Sequence, residues 1–349
     1  MALCNTQFKE FHDNIRLSEE NKILKEKRDI IIDVIKKNLP NESSKSFTIF
    51  NQGSYAMKTG IKPLKKDYDI DVGLYFEMSK EDVNPVDVKQ WIMNAVEGHT
   101  NNVKMKKPCI TVTYVDGYHV DITVYAAENS DGKVYLAKGK STSEKENKYW
   151  EESDPKKLIK EIREHVSDED DRKQFRRIIR YLKRWKDQKF LQDNNAKPTG
   201  IALTSCAYMW FEAKKEEDLF SKERTYNDLE ALISLVQKII TEFYNKPTRD
   251  EYGKHITTER LKIELPVEPY PDLLDKMSDK QMEDFKSKLE VLLEKLEEAK
   301  EKFDLRDAAI ILQSQFGKDF PVPPKPDKGK RATRQAVIPS SESAKEWYK

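Results

Sequence analysis

Asn51-Gln52-Gly53-Ser54 and, shortly after, Asp67-Tyr68-Asp69-Ile70-Asp71-Val72-Gly73-Leu74 hold the densest chemistry in this chain. Side chains alternate faces along a strand, so Asp69 and Asp71 share one face of the segment Asp69–Phe76 while Ile70, Val72 and Leu74 point into a core. Two carboxylates on one face, two residues apart, repel each other unless a cation lies between them. Hard oxygen ligands favour Mg²⁺ or Mn²⁺. Asp67 has the same parity but precedes the strand and reads as a turn residue. A third carboxylate lies in Tyr118-His119-Val120-Asp121-Ile122-Thr123-Val124, where Val120, Ile122 and Val124 form a buried face and Asp121 projects from the other. If the two segments are neighbours, Asp69, Asp71 and Asp121 converge, which is enough for two metal ions bridging a nucleoside triphosphate. Gly53 lets the backbone approach a phosphate and cradle it with N–H groups, and Ser54 adds a hydroxyl donor. The competing reading, strand-edge charges that block aggregation, requires three acids to oppose apolar faces by coincidence.

Outward from this cluster, Phe47–Phe50, Asp69–Phe76, Ile110–Val115 and Tyr118–Tyr125 read as short strands, rich in β-branched and aromatic residues. Asp116-Gly117 between the last two signals a hairpin. Trp91 to Glu97 reads as part of a helix between strands. On the N-terminal side, Gln7 to Leu39 reads as one helix with an apolar stripe of Ile30, Ile31, Val34 and Ile35, stopped by Leu39-Pro40-Asn41. Beyond Trp150 the pattern is nearly all helical. Asp154-Pro155 is an N-cap followed by proline, Ser167 opens a helix to about Phe190, and Gly200–Ala213 and Leu229–Tyr244 are further helices. Ser278-x-x-Gln281 is a capping box. It leads into Met282, Phe285, Leu289, Leu292, Leu296, Ala299 and Phe303, whose spacing suits an intramolecular bundle face or a short coiled coil.

Within Ser167–Phe190, Phe175, Ile178, Ile179, Leu182 and Trp185 make a buried stripe, flanked by a basic one of Arg172, Arg176, Arg180 and Lys183. Arg172 and Arg176 read as a solvated face. Lys183 flanks Leu182 and Trp185, so its stem can pack and its ammonium be directed, and a lysine suits a triphosphate as a point charge. Thr199 precedes the apolar helix; it is a natural N-cap, and a helix N-terminus also suits a phosphate. His99, His119, His165 and His255 show no metal-ligand spacing, and Asp272 in Pro269-Tyr270-Pro271-Asp272 reads as a turn residue, with a contact to a nucleotide base as the alternative.

Composition narrows the class. At 349 residues the chain suits two domains or a two-lobed one. Its 63 basic and 62 acidic residues give a net charge of +1, against bulk electrostatic binding of nucleic acid. No apolar run approaches a membrane span, and the N-terminus lacks a signal-peptide pattern. Cys4, Cys109 and Cys206 are scattered, which excludes a zinc knuckle and argues for a reducing cytoplasm. Residues 321–349 form a basic, proline-containing tail.

Gln52-Gly53-Ser54, Asp69-Ile70-Asp71 and Val120-Asp121-Ile122 resemble the polymerase-β-like nucleotidyltransferase superfamily. Arg180-Tyr-Leu-Lys183-Arg-Trp185, then Pro198-Thr199 and an apolar helix, is similar to the oligoadenylate synthetases and to the bacterial cGAS/DncV-like nucleotidyltransferases (CD-NTases). Phe316-Gly317-Lys-Asp319-Phe320-Pro321 also resembles the bacterial group. The resemblance implies an α+β, two-lobed fold with a mixed-sheet palm, a long N-terminal brace helix and a C-terminal helical lobe. With it come expected boundaries: a catalytic lobe with the N-terminal helix over 1–152, a helical lobe completing the nucleotide pocket over 153–320, and a mobile tail. It implies two Mg²⁺ (or Mn²⁺) ions on Asp69, Asp71 and Asp121, and donor-nucleotide contacts from Gln52, Gly53, Ser54, Lys183 and Thr199. The family usually has serine where Thr199 stands, and threonine keeps the hydroxyl. The implied activity is joining of NTPs, ATP among them, into a cyclic di- or trinucleotide second messenger in anti-phage signalling. The product would act through a nucleotide-sensing effector, and the enzyme would be a cytoplasmic monomer. Linear oligoadenylate synthesis, NMP transfer to another acceptor and an inactive scaffold remain the alternatives.

Overall fold

The computed structural model describes residues 4–39, 46–65, 67–190, 197–217, 224–249 and 253–325. The N-terminal segment is two helices, α1 (Asn5–Ile15) and α2 (Glu20–Asn38), not the single helix expected from Gln7 to Leu39. Arg16 turns extended, with ψ 146°, and forms a β-bridge with Ile61. The Lys62 N–H caps the carbonyl of Ile15 at 2.7 Å. The Ser18 N–H then donates to the Glu20 carboxylate at 3.1 Å, which starts the second helix. Ser18 and Glu20 are residues that open helices, a signal masked by the apolar pattern around them. The stripe of α2 is Leu24, Ile31, Ile32 and Ile35; Ile30, expected within it, is exposed. Pro40 and Asn41, read as the stop, lie outside the described residues.

Along the chain follow β1 (Phe47–Gln52), the single turn α3 (Gly53–Ala56), β2 (Tyr68–Phe76), α4 (Pro85–Ala95), β3 (Val103–Met105), β4 (Ile110–Thr113), β5 (Tyr118–Ala126), β6 (Tyr135–Lys138) and β7 (Tyr149–Glu152). The seven strands form one sheet in the order β1-β2-β5-β4-β3, with β6 pairing β5 and β7 pairing β6. Only β2 and β5 run parallel among these pairs, so the sheet is mixed. The expected β4–β5 hairpin forms, but with a three-residue loop in place of the two-residue Asp116-Gly117 link, so Val115 leaves the strand. Its loop is Val115-Asp116-Gly117, closed by the Gly117 N–H to Tyr114, with glycine at φ +84° where a side chain would be strained. One face of the sheet packs Ile70, Val72, Leu74, Val120, Ile122 and Val124 against α2 and α4. The helix expected around Trp91–Glu97 starts earlier, at Pro85, with Asn84 as N-cap.

The rest of the chain comprises α5 (Pro155–Glu164), α6 (Glu169–Lys189), α7 (Gly200–Trp210), β8 (Lys215–Glu217), β9 (Arg224–Tyr226), α8 (Asp228–Thr241), β10 (Tyr244–Arg249), β11 (His255–Arg260), α9 (Asp279–Glu301) and α10 (Leu305–Phe316). The expected caps are in place: Asp154 for α5, Thr199 for α7 and the full Ser278–Gln281 box for α9. α6 is capped by Asp168, one residue past Ser167. Two antiparallel strand pairs, β8–β9 and β10–β11, add to the nearly all-helical pattern expected for this part. Their strands are short, polar and largely exposed, so they lack the apolar alternation that marks a strand. The α9 stripe from Met282 to Ala299 is buried within the chain against α8 and α10, an intramolecular bundle face. Phe303 lies beyond the end of α9 and is 93% exposed.

A second core joins these helices to α1 through Phe8, Phe11 and Ile15. Phe320 closes it, fully buried with ring centroids 5.2 Å from Phe8 and 5.1 Å from Phe11. Truncating such a side chain costs about 3–5 kcal/mol. Phe320→Ala is therefore expected to lower Tm by roughly 6 °C or more, read by thermal denaturation. An unchanged Tm would show that this segment adds nothing to the core. Residues 326–349, most of the expected tail, lie outside the described residues.

Candidate active site

The sheet face opposite the apolar core carries the chemistry. Register pairing sets Gln52 opposite Asp71, Asp71 opposite Asp121, and Asp121 opposite Thr111, one polar row across β1, β2, β5 and β4. The neighbouring row is Asp69, His119 and Thr113. On the other side, Phe50, Tyr75 and Tyr125 pack as an aromatic cluster, with the Phe50 ring lying over Gly73. Thus the structure brings Asp69, Asp71 and Asp121 onto one face of two adjacent parallel strands.

The electrostatics follow from this crowding. Burial pushes the Asp71 carboxyl up to about 7, and the like charges of Asp121 and Asp69 push the same way. Loss of surrounding water, Asp121 and Asp67 push Asp69 up to about 6. Thr111 Oγ1 donates to Asp121 Oδ1, and Lys106 Nζ stands 3.8 Å from the same oxygen. Among the described residues, no group of three or more His, Cys, Asp or Glu side chains is gathered tightly enough to enclose an ion. The donor set is nonetheless all oxygen, and its members repel one another, the arrangement a divalent cation would relieve.

Gly53 follows β1 at φ +63°, a backbone region that disfavours side chains; a Cβ there would lie 1.9 Å from Asp71 Oδ2. Gln52 is buried, and its Oε1 accepts from the Tyr125 hydroxyl at 3.0 Å. Ser54, Thr59, Gly60, Asp67, Asp69, Lys183 and Gly200 line a cleft of about 330 Å³ together with residues from the α1–α2 junction. Two larger clefts, of about 600 and 650 Å³, are lined by Lys58 and Arg180 and hold none of the three aspartates. Lys183 is buried, and its Nζ donates to Thr59 O at 3.1 Å and Thr59 Oγ1 at 3.0 Å. Burial pushes this ammonium down to about 7, helped by Lys186 and Arg180. Thr199 is exposed, and its hydroxyl accepts from the Ala202 N–H at 3.2 Å; its neighbour Gly200 lies beside the Lys183 stem. Arg172 bonds the carbonyls of Val166 and Ser167 at the start of its helix rather than facing only solvent.

Sequence reasoning missed several residues here. His119 bonds Asp67 through Nε2 and Thr113 through Nδ1, so neither Asp67 nor His119 is an idle surface residue. Thr111 was not legible: a two-residue turn at Asp116-Gly117 would set Val112 across from Asp121, and the three-residue loop shifts the register by one to bring Thr111 there. Thr59 carried no signal. Lys89, fully buried, donates to the carbonyls of Lys106, Lys107 and Gly139 and so ties α4 to the segment that carries Lys106.

Residues 47–125 match the family described as cyclic GMP-AMP synthase DncV-like, nucleotidyltransferase domain. The chain is 29% identical over 187 residues to a cyclic GMP-AMP synthase of Escherichia albertii, covering 51% of this chain but only 40% of that relative. It is 23% identical over 307 residues to a c-di-GMP synthase of Roseivirga ehrenbergii, covering 78% and 72% respectively. The fold is similar to that of the Bradyrhizobium diazoefficiens CD-NTase CdnG in complex with GTP, with TM-score 0.66, 16% identity and coverage of 90% of this chain and 94% of that one. It is also similar to the Vibrio cholerae DncV cyclic AMP-GMP synthase, with TM-score 0.63, 18% identity and coverage of 88% and 93%. The α+β architecture with its mixed sheet is thus the fold shared with these CD-NTase structures, and residues 47–125 are similar to the DncV-like nucleotidyltransferase domain.

Proposed function

We propose that the protein is a metal-dependent nucleotidyltransferase that joins NTPs into a cyclic di- or trinucleotide and releases pyrophosphate. The observation that carries the reading is the polar row Gln52–Asp71–Asp121–Thr111, set in register beside Asp69 and Gly53-Ser54. Asp69, Asp71 and Asp121 would hold two divalent cations, Mg²⁺ or Mn²⁺. When bound, these supply charge neutralisation for the triphosphate and lower the pKa of the attacking hydroxyl. Gln52, Gly53 and Ser54 bind the donor nucleotide, and Lys183 holds its triphosphate from the cleft. Thr199 is retained at the phosphate end, where its hydroxyl already caps α7. A 2′- or 3′-hydroxyl oxygen forms the new bond to the α-phosphorus, the bond from that phosphorus to the β-phosphate oxygen breaks, and the hydroxyl proton passes toward the Asp121 carboxylate. Thr111 fixes that carboxylate by its hydrogen bond. A second transfer in the same site closes the ring.

The two-lobe division at residues 152/153 belongs to this proposal, with α1 reaching across, since its apolar face is built into the helical core. The resemblance to anti-phage enzymes extends it to a messenger read by a nucleotide-sensing effector. The three free cysteines suit a reducing cytoplasm. No described helix is long and apolar enough to cross a membrane.

The test is incubation of the purified chain with all four NTPs and Mg²⁺ or Mn²⁺, then phosphatase and mass spectrometry. A phosphatase-resistant cyclic product is the expected result, and it names the bases. Linear products would replace the proposal with oligonucleotide synthesis. Asp121→Asn is expected to remove turnover without lowering Tm, because it relieves the repulsion on Asp69 and Asp71. Near-normal turnover by that variant would sink the site assignment.

A further inference from the structure

We propose that Thr59 is a positioning residue for the donor triphosphate, holding the Lys183 ammonium at the cleft that Ser54 and Asp69 line. The inference rests on the reading of Lys183 as the triphosphate-holding residue and adds to it the group that sets where its charge stands. Lys183 has a long, flexible stem, and among the described residues it pairs with no carboxylate. Its hydrogen bonds there go to Thr59 alone, through the carbonyl and the hydroxyl. Thr59 is a fully buried polar residue, and a buried hydroxyl without a partner is costly, so the pairing satisfies both groups.

Thr59 is itself fixed. Its N–H donates to the Ser54 carbonyl at 2.9 Å, so it belongs to the same short loop as the Gly53-Ser54 pair. The carbonyls on either side of it, Lys58 O and Gly60 O, accept from the Arg180 guanidinium. Arg180 and Lys183 lie one turn apart on α6, so one helix grips three successive carbonyls of this loop. A Cβ on Gly60 would meet Leu17 at 2.9 Å, which holds the loop against the α1–α2 junction. The consequence is that Ser54 and the Lys183 ammonium are placed as one unit. Buried, and with no carboxylate at ion-pair distance among the described residues, this ammonium is placed to meet an anion that enters the cleft.

The experiment uses the full chain and three variants: Thr59→Val, which keeps the shape and removes the hydroxyl, Thr59→Ser, which restores it, and Lys183→Met. Binding of a non-hydrolysable ATP analogue and of tripolyphosphate is measured by calorimetry with Mg²⁺, alongside KM and kcat. A hydrogen bond to a charged group suggests that Thr59→Val weakens both ligands about tenfold and raises KM by a similar factor, with kcat within about twofold. Thr59→Ser is expected to restore binding. Thr59→Val placed on Lys183→Met is expected to add nothing, because the two act through one contact. That cycle, with Tm, separates positioning from a general loss of packing. Unchanged or tighter binding by Thr59→Val, failure of serine to rescue, or full additivity with Lys183→Met would overturn the inference. If Lys183→Met itself binds normally, the parent reading of Lys183 fails instead.

Discussion

Asp71→Asn is expected to lower kcat by about 10³-fold or more, the scale of losing a principal electrostatic stabiliser of a transition state, while making the metal-free protein more stable at neutral pH. Both effects have one cause. Asp71 sits directly across from Asp121 and two residues from Asp69, and burial with these like charges raises its pKa to about 7, as Asp69 is raised to about 6. A carboxyl whose folded pKa exceeds its unfolded value of about 3.9 binds more protons folded than unfolded between those values. Stability therefore falls as pH rises from about 4 through 7 and levels off above that window. Lys183 acts in a separate window: its depressed pKa makes stability rise from about pH 7 toward 10.5. Melting curves in EDTA across pH 4–8 should show a shallower fall for Asp71→Asn than for the native chain. At pH 7.5 the variant should melt a few degrees higher, about 2–5 °C, and gain less from added Mg²⁺. Native-like turnover, or an unchanged pH slope, would remove Asp71 from the site.

Gly53→Ala is expected to cost roughly 100-fold in kcat with a modest loss of stability. The position combines φ +63° with a Cβ path that ends 1.9 Å from Asp71 Oδ2. The backbone term alone is about 1–2 kcal/mol, and the contact must displace either the loop or the carboxylate. Gly98 is the internal control, since it also has positive φ, +74°, but nothing lies within 4 Å of its Cβ position. Gly98→Ala should share the backbone term and leave turnover alone. Equal activity of the two variants in a pyrophosphate-release assay would show that the Gly53–Asp71 approach is not part of the chemistry.

Most of the site's composition was legible early because its signals are local. Alternation along Asp69–Phe76 and Tyr118–Tyr125 separated acids from core residues, and the structure buries Ile70, Val72, Val120 and Ile122 as that pattern requires. What escaped was set by partners distant in the chain. His119 looks like any strand histidine until Asp67 and Thr113 are seen on either side of it. Lys89 lies on the buried side of α4, where three backbone carbonyls from two other segments satisfy it.

The sequence by itself determined most of the residues that face the core, where α5 to α9 begin, and which acids share a face, because alternation and capping act over a few residues. It was enough to carry the resemblance and to expect Asp69, Asp71 and Asp121 on one face, where the register places them. Tertiary structure decided the rest. It broke the N-terminal helix by pairing Arg16 with Ile61, made hairpins of polar strands, and aligned Asp71 with Asp121 by a parallel register that local pattern does not encode. It also placed the Lys183 ammonium on Thr59, more than a hundred residues away in the chain. The physical reason is that these contacts join residues far apart in the chain, so local alternation and capping carry no record of them.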